Sequence, residues 1–207
     1  MEANTTENHW NNIYKTNEAE KVGWFQPNPA PSIEMLKTSG FDKNSRIIDI
    51  GGGDSYFAEC LLDLGYKNIS VLDISESAID RAKKRMGKKA DNIEWICSNI
   101  LDFKPTQKYD LWHDRAVFHF LNKISDIKTY KQLAYNSLND KSKLILATFS
   151  ELGPNSCSGL PVTQYSESSL YKLFIPELHM VRWHYYDHIT PSKTKQNFIY
   201  CCFSKIK

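Results

Sequence analysis

The most constraining stretch of the chain runs from residue 46 to residue 86. It opens with a β-branched run, Arg46-Ile47-Ile48-Asp49-Ile50, that stops abruptly in Gly51-Gly52-Gly53. Apolar residues then recur at helical spacing (Phe57, Cys60, Leu61, Leu64) until Gly65, predicting a helix over 55–64. A second extended run, Asn68-Ile69-Ser70-Val71-Leu72-Asp73, follows. Ser75 then caps a helix reaching Met86, with basic residues in its last turn. Strand, glycine turn, helix and strand make a βαβ unit, and such a unit commits its strands to a parallel pairing with a right-handed crossover.

The alternation continues. Further strands are expected at 93–97, 109–113 and 142–149, with a helix at 127–138. The last third carries a helix near 167–174 and two strands, 180–188 and 197–204, joined around Thr190-Pro191-Ser192 with no helix between them. That pair should be an antiparallel hairpin at the sheet edge. At the other end, residues 7–21 suit a short amphipathic helix with Trp10, Ile13 and Tyr14 on one side. Three prolines keep 22–31 largely non-helical, and Ser32 is expected to cap a helix that stops near Gly40. The reading is a doubly wound, Rossmann-like α/β fold. Its seven-stranded sheet is mostly parallel and ends in an antiparallel C-terminal hairpin. One domain is expected over 1–207, with an N-terminal helical lid segment (1–40), a ligand-binding core (41–150) and a substrate-side loop plus hairpin (151–207).

Composition narrows the class. Of 207 residues, 41% are apolar and 13% aromatic, enough for a sizeable core. The 26 basic and 24 acidic residues leave a net charge of +2, which gives no electrostatic footprint for nucleic acid or an anionic membrane. The longest clear apolar run, Leu144 to Phe149, falls far short of the roughly 18 residues of a membrane span. The polar start, MEANTTENHWNNIYK, lacks the apolar stretch of a signal peptide, so a soluble cytoplasmic protein is expected. Five cysteines without a CxxC pair, and without a His partner at zinc spacing, point to neither a metal site nor a disulfide framework.

In an open α/β sheet, ligands bind beyond the carboxyl ends of the strands, where strand order reverses. The first strand ends in glycines that let a ligand approach bare backbone. The second ends, about twenty residues on, in Asp73, an acid placed to accept hydrogen bonds from both hydroxyls of a ribose. A nucleoside-type ligand is therefore expected. The dinucleotide fingerprint fits Gly51 and Gly53 but fails at Tyr56, and no Lys-Ser/Thr pair completes a phosphate loop.

The segment Asp49-Ile50-Gly51-Gly52-Gly53-Asp54-Ser55 resembles the first motif of class I S-adenosylmethionine-dependent methyltransferases, with Ser55 where a third glycine is common. Val71-Leu72-Asp73-Ile74-Ser75 resembles their second motif. Ile96-Cys97-Ser98-Asn99-Ile100 resembles the third, with Asn99 in place of a frequent Asp. Tyr109-Asp110-Leu111-Trp112 followed by His113-Asp114-Arg115 resembles the fourth-strand motif, and the terminal hairpin is also a family feature. The resemblance extends from about Trp10 to the end of the chain, and HDRAVFHFL, the GPNSCSGLPV loop and the terminal HITP are similar to a small bacterial-type branch.

The resemblance implies S-adenosylmethionine as cofactor, held by Asp49, Gly51, Gly53, Asp73, Ile74, Asn99 and Ile100. Trp24 and Phe25 would fold over it, either as aromatic faces toward the sulfonium or as hydrophobic plugs of the N-terminal segment. Asp114 would answer the positive cofactor, orient His113, or form a structural ion pair with Arg115. Candidate catalytic residues are His113, Arg115, His119 and Cys157. His119 lies four residues past Arg115 and would share its face on a helix. Taken singly, each histidine reads more readily as a satisfied structural imidazole than as an acid or base. Cys157 sits in a Gly/Pro-rich loop (153–161) and is expected to be the least buried cysteine; the thiol touches substrate or is incidental to a rigid lid. Tyr165 and His188 are further candidates for the pocket wall.

The expected activity is methyl transfer to a small-molecule nucleophile by in-line displacement. A protein lysine methyltransferase is the alternative, and a non-catalytic nucleoside-binding protein a weaker one. Tyr56 disfavours a nicotinamide oxidoreductase, and the N/D-P-P-Y/F signature of nucleic-acid methylation is missing. A monomer or homodimer without a nucleic-acid partner is expected.

Overall fold

The computed structural model describes residues 2–205. A seven-stranded sheet forms its centre, in the order β3-β2-β1-β4-β5-β9-β8. The strands are β1 (Arg46–Ile50), β2 (Asn68–Asp73), β3 (Ile93–Cys97), β4 (Tyr109–Arg115), β5 (Leu138–Phe149), β8 (Leu178–Ile189) and β9 (Lys195–Lys205). β1 to β5 are parallel, while β9 runs antiparallel to both β5 and β8. A two-stranded ribbon of β6 (Ser156–Cys157) and β7 (Leu160–Pro161) forms in the loop after β5. The doubly wound sheet with its terminal hairpin is the architecture expected from the sequence.

Helices α2 (Ala30–Lys37) and α3 (Phe57–Asp63) contribute to a core cluster on one face, built on Ile47, Leu111, Ile145 and Phe149. α5 (Ile124–Ser137) and α6 (Glu167–Phe174) contribute to the cluster on the other face, around Ile48, Trp112, Leu144 and Leu146. β1, β2, β4 and the second half of β5 therefore bury both sets of their alternating side chains, whereas the edge strand β3 leaves Glu94 and Cys97 exposed. α4 (Glu76–Met86) follows β2, its Ser75 cap accepting from the Ala78 amide at 3.2 Å.

Three local expectations need correction. The N-terminal helix α1 spans Glu2–Thr16 rather than 7–21; the Asn17 side chain bonds back to the Ile13 carbonyl, and a separate 3-10 turn covers Ala19–Lys21. Ser32 caps nothing. α2 starts two residues earlier, with Pro31 in its first turn where a missing N–H is harmless, and Ser32 is fully buried. β4 runs on to Arg115, which pairs with Ala147 of β5.

The chain winds outward from β1 through β2 to β3, then returns to place β4 on the other side of β1. Strand order thus reverses between β1 and β4, and a crevice opens beyond their carboxyl ends. No described helix is long and apolar enough to cross a membrane. No metal-binding group of three or more His, Cys, Asp or Glu is found among the described residues.

Candidate active site

A cleft of about 510 Å³ occupies this crevice, a size typical of small-ligand sites. Gly51 and Gly52 form its floor. Gly51 has φ +66, and a Cβ there would run into Val117, so the turn demands glycine. Its amide is tied to the Leu72 carbonyl at 2.6 Å. Gly53 lies behind this floor rather than in it, because its amide donates to Asp73 Oδ2 at 3.0 Å. A Cβ on Gly53 would come within 2.6 Å of both Asp73 and Ala78. Its part is to let the loop close on the acid.

Asp73 lines the cleft at the end of β2 and is 4% exposed. The Ser75 amide holds its other oxygen at 2.8 Å. Burial pushes its pKa up to about 6, against the pull of these backbone amides, with the Asp49 charge adding to the rise. Ile74, Asn99 and Ile100 also line the cleft. The Asn99 amide oxygen accepts from the Leu101 N–H at 3.0 Å, which fixes the side chain and leaves a second lone pair.

Asp49 and His113 are neighbours in register across β1 and β4. The His113 Nδ1 donates to Asp49 Oδ1 at 2.6 Å, since a carboxylate only accepts, and Nε2 meets the Ser32 hydroxyl at 2.8 Å. The ring stacks on Phe57 with centroids 4.0 Å apart. Ser55 adds a hydrogen bond to the second Asp49 oxygen at 3.2 Å. Both imidazole nitrogens are therefore engaged within the protein, which gives His113 the contacts of a positioning group at the cleft wall.

Asp114 and His119 do not line the cleft. Successive residues of a strand point to opposite faces, so Asp114 turns away from His113. Its Oδ1 accepts from the Val117 and Phe118 amides at 2.9 and 3.3 Å, and its Oδ2 from the Tyr130 hydroxyl at 2.6 Å. Burial raises its pKa to about 6. It braces the turn beyond β4 and neither orients His113 nor pairs with Arg115. His119 sits in a three-residue 3-10 turn (Phe118–Phe120) rather than on an α-helix shared with Arg115. Its Nδ1 accepts from the Phe149 amide at 3.2 Å, and burial drives its pKa down to about 3. It is a neutral core imidazole.

Arg115 and Cys157 both line the cleft. The thiol is half-buried, and burial raises its pKa, opposed by the Ser158 hydroxyl and the Arg115 charge. Cys97, at the end of β3, is the exposed cysteine, which reverses the expectation for Cys157. Tyr165 and His188 lie outside the lining. Tyr165 packs on Phe118, while His188 Nε2 bonds the Gly23 carbonyl at 2.9 Å and so moors the N-terminal segment to the hairpin.

That segment covers the cleft. Trp24 and Phe25 line it, and Phe25 packs edge-on against Tyr56 at 5.8 Å. Trp10 and Tyr14, expected on one helix face, are not among the site residues expected from the sequence. Trp10 meets Phe120 and Trp24 at 5.3 and 6.0 Å, and both α1 rings line the cleft. Their i, i+4 spacing was the available signal. Asn11 accepts from the Ser75 hydroxyl and Ser77 amide at 2.9 and 3.1 Å, and Arg81 grips the Tyr14 carbonyl at 2.8 Å. Gln26 Oε1 also borders the cleft, buried and without a hydrogen-bond partner.

A family model described as a methyltransferase domain matches residues 41–198. Malonyl-[acyl-carrier protein] O-methyltransferase of Priestia megaterium is 30% identical over 118 residues, covering 56% of this chain and 41% of that protein. Ribosomal protein L11 methyltransferase of Staphylococcus haemolyticus is 30% identical over 115 residues, covering 55% and 34%. The matches thus span less than half the length of these curated relatives. In fold, the N-methyltransferase NodS from Bradyrhizobium japonicum, solved with S-adenosyl-L-homocysteine, superimposes with a TM-score of 0.70 at 19% identity, over 87% of this chain and 88% of that one.

Proposed function

We propose that this chain, a S-adenosylmethionine-dependent methyltransferase by the methyltransferase-domain family to which it belongs, transfers the methyl group to a small-molecule nucleophile. The observation that carries the acceptor class is the roof. Trp10 and Tyr14 of α1, with Trp24 and Phe120, cover a cleft of about 510 Å³, a volume suited to a cofactor and a compact acceptor.

The residues fit the cofactor on two counts. Asp73 is a desolvated acid with no cation bonded to it, suited to ribose hydroxyls. Gln26 Oε1 is a buried acceptor lacking a donor at the same cleft. In this reading Asp73, Ile74, Asn99 and Ile100 hold the nucleoside, and Asp49 and Gly51 shape the floor beneath the rest. When bound, the cofactor supplies an electrophilic methyl on a sulfonium whose leaving group is a neutral thioether, so no acid is needed for departure. The protein's work is then to orient the acceptor and exclude water. Phe25 and Trp24 present aromatic faces of the kind that attract a sulfonium by about 0.5–2 kcal/mol.

Incubation with methyl-labelled cofactor, an extract of small metabolites and an undigested protein fraction tests the acceptor class. Label is expected in the low-mass fraction; label confined to protein overturns the small-molecule reading in favour of a protein acceptor. The roof makes a second expectation. Amide hydrogen exchange over residues 5–26 should slow on adding S-adenosylhomocysteine, since α1 closes the ligand in. Unchanged exchange there removes the lid.

A further inference from the structure

Arg115 carries a charge that the protein does not neutralise. Its Nε donates to the Tyr200 hydroxyl at 3.1 Å and its Nη1 to the Trp24 carbonyl at 3.2 Å. The guanidinium carbon lies 4.8 Å from the centre of the Phe198 ring. All three partners are neutral. Nη2 is buried and has no partner at all. The nearby acids are engaged elsewhere: Asp114 with Val117, Phe118 and Tyr130, and Asp49 with His113 and Ser55. Asp187 of the hairpin pairs with Lys195 and Asn197.

The surroundings register the unbalanced charge. Burial is the main cause that lowers the pKa of His119 and His188, the positive field of Arg115 adds to it, and the same field works against the rise imposed on Cys157 by burial. A guanidinium N–H taken out of water without an acceptor is costly, and a charge-assisted bond is the strongest way to recover that loss. Arg115 sits in the lining of the cleft with Cys157, Phe120 and Trp24. Its planar fork is fixed by Tyr200 and Trp24, so the remaining nitrogen is held in place before any ligand arrives.

We propose that the Arg115 Nη2 binds a carboxylate of the methyl acceptor, so that the substrate is a small carboxylate-bearing molecule. This deepens the methyltransferase reading and rests on it. Arg115 is then a specificity-determining residue: it selects the anion and leaves the chemistry of transfer to the alignment of the acceptor.

Calorimetry on protein saturated with S-adenosylhomocysteine tests it with three probes of one ring size, namely benzoate, benzyl alcohol and benzylamine. Benzoate is expected to bind about tenfold or more tighter than benzyl alcohol, with benzylamine weakest, and the preference should shrink as salt is raised. Arg115→Met should abolish the preference, and Arg115→Lys should restore part of it. Equal binding of benzoate and benzyl alcohol by the unsubstituted protein overturns the proposal, whatever the variants do. So does a benzoate preference that survives Arg115→Met. Absence of that preference together with a fall in S-adenosylhomocysteine affinity in both variants assigns the guanidinium to the cofactor's own carboxylate, which also overturns it. Failure of the methyltransferase reading appears earlier and separately, as no heat when S-adenosylhomocysteine itself is titrated.

Discussion

Asp73→Ala is expected to lower the affinity for S-adenosylmethionine by about 1.5–3 kcal/mol, or roughly 10- to 150-fold, the scale of a lost hydrogen bond to a charged group. The substitution removes the acceptor proposed for the ribose hydroxyls. It also frees the Gly53 and Ser75 amides that close the glycine loop onto β2. Asp73→Asn keeps one acceptor oxygen and should fall between the two. The pH dependence separates the ligand contact from the loop contact. Burial raises the Asp73 pKa from 3.8 to about 6, so between those values the folded protein holds a proton that the unfolded chain has released. Stability from this acid therefore declines as pH rises through that window. Hydroxyl donors of a ligand favour the ionised acid, so cofactor affinity should climb as pH rises through about 6 and level off above it. Asp49 and Tyr14 face the same acid, and Asp114, which also titrates near 6, lies outside the cleft. Titrations between pH 5 and 8 should show the step in the unsubstituted protein and none in Asp73→Asn. A flat profile in the unsubstituted protein removes Asp73 from the ligand.

What was legible in the chain was what short-range pattern encodes. The glycine turn after β1, the acid closing β2 and the capped start of α4 lie within one βαβ unit, and steric rules alone bring them together. The terminal hairpin was legible because no helix separates its strands. The misplacements came from contacts that sequence spacing does not report. Asp114 and His113 are adjacent polar residues at a strand end, and only the packing of β4 against Asp49 on one side and Tyr130 on the other decides which one reaches the cleft. His119 was placed by helical spacing, yet Ala116 has φ +74 and the chain turns there instead of continuing a helix. The Ser32 hydroxyl bonds a ring 81 positions away, and Arg115 a carbonyl 91 positions away. Neither bond has a local signature.

The Ser32–His113–Asp49 chain is where the largest loss of stability is expected. Asp49 and the His113 ring are 2% exposed, and they join β1, β4 and α2 beneath the glycine floor. His113→Phe keeps a ring to stack on Phe57 but leaves the Asp49 carboxylate short of a donor in a dry site. Leaving the buried Asp49 Oδ1 without its donor costs about 1–3 kcal/mol, toward the upper end for a carboxylate. Ser32→Ala removes one neutral contact and should cost about 1 kcal/mol. Asp49→Asn keeps an oxygen for Nδ1 and removes the charge, so it should cost less than His113→Phe. Urea denaturation of the three variants should follow that order. In the double variant His113→Phe/Asp49→Asn, the carboxylate that made the first change so damaging is gone, and the combined loss should be smaller than the sum of the two. Strict additivity would mean that the imidazole and the carboxylate do not act as a pair, and the 2.6 Å contact would then be incidental to folding.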